Sequence, residues 1–160
     1  MRSDRRVAEI ECLQHTGFTV ADLERSLAFY RDVLGFEVLA EGEREGGYFA
    51  EIVGYPDTHV RMALVRPRGS DHHLELFQYL SPEPRTVSLE PRLVGATHVC
   101  LIVDDLPALY GRLSDAGVDT FFTPPVEVDA GINQGGFALY LRDPDGIILE
   151  LFQPPSVSRG

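Results

Sequence analysis

The sequence predicts an α+β fold built from two tandem βαβββ modules. Three observations carry this reading. Residues 74–78 and residues 149–153 both spell LELFQ. Upstream of each copy stands a histidine, His15 or His98. Seven residues later comes an aspartate-leucine pair, Asp22-Leu23 or Asp105-Leu106, and about twenty residues later a glycine, Gly35 or Gly117. The separations also match: Glu75 stands 60 positions after His15, and Glu150 stands 52 after His98, the surplus falling in the Gly- and Glu-rich stretch 40–57. Self-similarity of this kind marks a duplicated supersecondary unit. The modules are placed at 10–80 and 96–154. Residues 81–95, which hold Pro82, Pro84 and Pro91, read as the linker.

Within the first module, β-branched and apolar residues around His15 predict a strand over 11–20. Asp22 is placed to cap a helix in which Leu23, Leu27, Tyr30 and Leu34 recur at helical spacing, and Gly35 is placed to end it. A second strand begins over 36–39, and 40–57 reads as an enlarged loop. The alternating stretch 59–66 is a third strand. After the turn at 67–71, residues 73–79 form the last. The second module repeats the order: strand 97–103, helix 106–116 closed by Gly117, and a strand beginning over 118–122. A Pro- and Gly-containing loop follows at 123–135, then strands 136–141 and 147–152 around the turn Asp143-Pro144-Asp145-Gly146.

Composition narrows the function classes. The 160 residues are 44% apolar and 24% charged, the balance of a globular domain that buries its own core without staples. A net charge of −11 argues against a phosphate-binding surface, so no nucleic-acid partner is expected. The longest purely apolar run, 99–103, is far too short to span a bilayer, and no membrane partner is expected. The opening MRSDRRVAEIE has no apolar h-region, so no signal peptide is expected. Two cysteines, Cys12 and Cys100, cannot build a disulfide framework, and a reducing, cytoplasmic location follows as the expectation.

Each module offers a histidine on its first strand and a glutamate on its last. If the modules pair symmetrically, His15, Glu75, His98 and Glu150 converge on one cleft. Two imidazoles and two carboxylates suit one borderline divalent cation per site, such as Ni, Zn, Co, Fe or Mn. The glutamates are the more telling members. Alternation sets Glu75 opposite Leu74 and Leu76 and on the face of Phe77, and sets Glu150 between Leu149 and Leu151 in the same way. A carboxylate in an apolar strand needs a partner, which a cation supplies. Singly, each of these residues has an ordinary alternative: a solvated strand glutamate or a structural histidine. The recurrence at matched places is what favours ligation. His73 shares the parity of Glu75 and reads as a site-wall residue or a spare ligand. His72 and His59 read as ordinary polar residues, and Arg61 as a group that meets either an anionic substrate or solvent. Phe29 and Tyr30 fit helix packing, and Cys100 fits a small core position.

HTGFTVADLERSLAFYRDVLGFEV together with YLRDPDGIILELFQPP resembles the vicinal oxygen chelate superfamily, also called the glyoxalase/bleomycin resistance/extradiol dioxygenase superfamily. The resemblance spans about residues 10–154. It implies paired βαβββ modules forming a curved mixed sheet around a metal cleft, and a divalent metal that chelates two neighbouring substrate oxygens. In ligand pattern His15, Glu75, His98 and Glu150 are similar to the His/Glu/His/Glu set of bacterial glyoxalase I. Methylmalonyl-CoA epimerases have a second catalytic glutamate where this sequence has Arg61. The resemblance therefore implies a metal-dependent lyase or isomerase that takes a small carbonyl substrate through an enediolate, with Glu150 or Glu75 as the catalytic base and Glu150 favoured. It also implies a homodimer with sites at its interface. Two other readings stand beside it. One is an Fe(II) extradiol-type ring-cleavage dioxygenase using His15, His98 and Glu150. The other is a non-catalytic small-molecule or drug binding protein.

Overall fold

Two four-stranded mixed sheets make up the computed structural model, which describes residues 9–156. The opening stretch read for a signal peptide lies, up to residue 8, outside the described residues. In chain order the elements are β1 (His15–Thr19), α1 (Leu23–Leu27), β2 (Glu37–Glu45), α2 (Gly47–Val53), β3 (His59–Arg66), β4 (His73–Ser81), β5 (His98–Ile102), α3 (Leu106–Asp115), β6 (Val126–Glu127), β7 (Phe137–Arg142) and β8 (Ile148–Gln153). The first sheet is ordered β1-β4-β3-β2 and the second β5-β8-β7-β6. In each sheet the first strand lies parallel to the last, and the other neighbours are antiparallel. The two sheets thus share one topology, as the repeat predicts. No helix among the described residues is long and apolar enough to cross a membrane.

The helices form where the sequence places them. The carboxylates of Asp22 and Asp105 accept from the backbone N–H of Arg25 and Ala108, capping α1 and α3. α1 passes directly into a π-helical turn at Ala28–Val33, and Gly35 follows with φ +79°. α3 ends likewise before Gly117, at φ +85°, a conformation that costs glycine no steric strain. Leu74, Leu76, Val65 and Ala63 of the first sheet and Leu139, Leu141, Leu149 and Leu151 of the second join one continuous core. Leu23, Leu27 and Tyr30 from the first helix and Leu106 and Leu113 from α3 complete it.

The two halves are clasped by polar contacts between the first helix and the turn before β8. Asp145 accepts from Ala21 N at 3.1 Å, from Arg25 Nη2 at 2.5 Å and from Ser26 Oγ at 3.2 Å. Tyr30, fully buried, donates its hydroxyl to Asp143 Oδ2 at 2.9 Å, while Asp143 Oδ1 accepts from the backbone of Asp145 and Ile147. Burial lifts the Asp143 carboxyl above its ordinary range, against the pull of these three hydrogen bonds. Its contribution to stability is therefore present in acid and lost as pH climbs past that raised value. Tyr30→Phe removes a donor from the ionised form. It is expected to cost about 2 kcal/mol at neutral pH and less in acid, read from urea unfolding at several pH values.

Three expectations are corrected. The stretch 40–57 is not an enlarged loop: β2 runs on to Glu45 in antiparallel register with β3, and α2 follows. Its Phe49 stacks on Phe77 at 5.2 Å between ring centroids. In the second module 118–122 forms no strand beyond a single bridge from Phe121 to Leu141, and the edge strand is the two-residue β6 instead. Cys100 is exposed rather than a core residue, because alternation along β5 turns Val99 and Leu101 to the core and Cys100 away from it.

Candidate metal centre

β1 and β4 run parallel with His15 opposite His73 and Gly17 opposite Glu75. His15, His73 and Glu75 therefore share one face, the face opposite buried Leu74 and Leu76. His15 Nε2 stands 3.2 Å from Glu75 Oε2. The other ring nitrogen, Nδ1, meets the side-chain oxygen of Gln14. The tautomer protonated at Nδ1 satisfies that oxygen and is the one whose Nε2 lone pair is available to a cation beside Glu75. Two acceptors at this distance repel unless a proton or a cation lies between them. The His73 ring stacks on His15 at 5.8 Å, and one donor atom each from His15, His73 and Glu75 lies within 4.8 Å of the others.

The second module repeats the pair. Cys100 stands opposite Glu150 in the β5–β8 register, and His98 Nε2 lies 3.1 Å from Glu150 Oε2. The surroundings differ, however. Tyr140 faces Glu150 across β7 and β8, with its ring 5.0 Å from that of His98 and its hydroxyl 3.5 Å from His98 Nε2. Although Cys100 lies on the exposed face, partial desolvation against the sheet, then the Glu150 charge, pushes its thiol up to about 11. The same two causes raise the Tyr140 phenol. Both groups therefore remain protonated donors at neutral pH beside the glutamate.

Each predicted pair is assembled, but the four residues do not meet within one chain. Among the described residues no group of three or more potential ligands draws on both pairs. The reason is parity. The alternation that sends Leu74, Leu76, Leu149 and Leu151 into the shared core sends each His/Glu pair to the outward face of its sheet. Both pairs are open to solvent, the His15 and His98 side chains being 40% and 42% exposed. A cavity between the modules is lined by Leu34, Phe36, Leu74, Val99, Leu101 and neighbours, and none of the four lies on its wall.

Other candidates find local partners. Arg61 pairs with Glu24 at 2.5 Å, His72 bonds Thr16 Oγ1 at 2.9 Å, and His59 bonds Glu43 at 2.6 Å. Reading the sequence missed Gln14 and Tyr140. Alternation in FALYLR, with Leu139 and Leu141 inward, was signal enough to place Tyr140 on the face of Glu150. Nothing in the sequence marks Gln14.

The topology and the paired donors define a class of protein. Residues 13–151 match the family model of the Glyoxalase/Bleomycin resistance protein/Dioxygenase superfamily, and the chain belongs to that family. The chain is 30% identical over 151 residues to a lactoylglutathione lyase of Salmonella typhimurium, an alignment covering 92% of this chain and 96% of that one. It is 29% identical over 144 residues to an ethylmalonyl-CoA/methylmalonyl-CoA epimerase of Cereibacter sphaeroides, covering 88% and 96%. A glyoxalase family protein from Bacillus cereus shares the fold, with a TM-score of 0.74, 18% identity and coverage of 94% of this chain and 99% of that one. The family includes lyases and epimerases, and its lyase members imply a divalent metal.

Proposed function

We propose that the protein is a divalent-metal-dependent lyase or isomerase acting on a small carbonyl substrate through an enediolate. Its ligands are His15, Glu75, His98 and Glu150. One observation carries this: both modules hold a histidine Nε2 and a glutamate oxygen at the same separation, 3.2 Å and 3.1 Å. Two donors each about 2.1 Å from one ion stand about 3 Å apart when they subtend roughly a right angle, so each pair is spaced as two neighbouring ligands. Outward-facing pairs call for a homodimer in which the first pair of one protomer meets the second pair of its partner. The strand that carries His98 also presents Cys100 and Ile102 on that face, and Ile102 is 67% exposed, an apolar side chain for a partner to cover.

A cation held here supplies Lewis-acid polarisation of a carbonyl oxygen. The protein's own groups handle the proton. Glu150 takes it from the carbon beside the carbonyl and returns it to a neighbouring carbon, with Tyr140 and Cys100 as protonated neighbours that steady the carboxylate between transfers. Glu75, with donor atoms of His15 and His73 within 4.8 Å, serves as a fixed ligand.

Protein purified without oxygen is expected to carry one divalent metal for each set of four residues, and His15→Ala to lose it, by elemental analysis. With small carbonyl compounds in D2O, deuterium is expected to enter at the carbon beside the carbonyl. Protein that takes up no metal when metal is supplied, or that consumes oxygen with catechols and shows no such exchange, would overturn the reading.

A further inference from the structure

We propose that His73 is a third metal ligand from the first module, so that His15, His73 and Glu75 form an anchoring site that holds the cation without help from the second pair. The inference rests on the metal-site reading above and goes beyond its four residues.

The argument begins with the broken symmetry of the repeat. The position opposite the first-strand histidine is His73 in one module and Ile148 in the other. Ile148 is buried and offers no donor. His73 is half-buried, shares a face with Glu75, and stacks on His15 with ring planes inclined by 27°. The donor atoms of all three fall within 4.8 Å of one another, the one such group of three or more among the described residues. Small rotations of side chains on adjacent parallel strands bring such a set to one ion. Gln14 spans the two imidazoles, its side-chain oxygen on His15 Nδ1 and its amide nitrogen 3.5 Å from His73 Nε2. That contact sits at the outer limit of a hydrogen bond and is easily given up to a cation. Two imidazoles and a carboxylate on one side of an ion leave the opposite side free for further ligands, the facial arrangement that borderline divalent metals accept. The two modules then differ in task. The first has three ligands, with Gly17 and Leu64 in the places that Cys100 and Tyr140 hold in the second. The second has two ligands and two protic neighbours for the base.

The test is a Co2+ titration by calorimetry, with Zn2+-induced shifts of the imidazole 15N signals followed by NMR. The proteins are the parent, His98→Ala, His73→Gln and the double variant, each checked for fold by circular dichroism. His98→Ala is expected to keep a Co2+ site, and its His15 and His73 nitrogens to shift on adding Zn2+. His73→Gln is expected to weaken binding by about tenfold to a hundredfold, and the double variant to bind no Co2+. A parent that binds Co2+ while His73→Gln binds equally well, with the His73 nitrogens unshifted in the parent, overturns His73 ligation and leaves the four-residue reading standing. A parent that binds no Co2+ overturns both.

Discussion

Glu150→Gln is expected to lower turnover by about two to four orders of magnitude while leaving the fold and most of the bound metal in place. Glutamine keeps the length and shape of the side chain and an oxygen that can still face His98, but it cannot take up a proton. Because Glu150 sits among the protonated neighbours Cys100 and Tyr140, loss of its charge removes a base without stranding an unpaired ion. The comparison that gives the result meaning is Glu75→Gln. There the carboxylate stands 3.2 Å from His15 Nε2, in one cluster with His73, and the expected loss is chiefly in metal affinity. Both are read on one compound that the parent turns over, by deuterium entry per bound metal. A Glu150→Gln protein with full metal and full exchange would remove this residue from the chemistry.

Leu76→Ala is expected to destabilise the metal-free protein by about 2–5 kcal/mol, whereas Glu75→Gln, next to it on β4, is expected to change stability by no more than about half a kcal/mol. Leu76 has no exposed surface and lies in the shared core, so truncation removes its burial and leaves a cavity. Glu75 points the other way, toward His15, and in the absence of metal its charge does little for the fold. Chemical unfolding of the two variants beside the parent checks both numbers. Equal losses would mean that β4 does not present its leucines and its glutamate to opposite faces. The whole placement of the metal centre depends on that parity.

The same parity explains how much could be read in advance. LELFQ, twice repeated, was enough to put two leucines inward and one glutamate outward in each module, and both Asp-Leu pairs marked helix starts that the capping bonds bear out. The 40–57 stretch misled because its glycines and glutamates have low strand propensity. What makes residues 40–45 strand is their pairing with β3, an interaction between segments that local composition does not carry. Tyr140 was visible in the alternation but had no significance until the register set it across from Glu150.

By itself, then, the sequence determined the duplication, most of the strand and helix order, and the family, and it singled out the residues in each module that are proposed as ligands. All of these are matters of local periodicity and of identity at equivalent positions. Tertiary structure decided how the equivalent positions are used. Tyr30 to Asp143, and Arg25 and Ser26 to Asp145, clasp the modules through their core-facing sides, and each His/Glu pair is left on the outward face of its sheet. A repeat states that two surfaces are alike, but it does not state whether they turn toward each other within the chain. That choice belongs to the packing of side chains far apart in the chain. It is made here by a buried tyrosine and a two-aspartate turn that the local pattern marked only as a helix face and a bend.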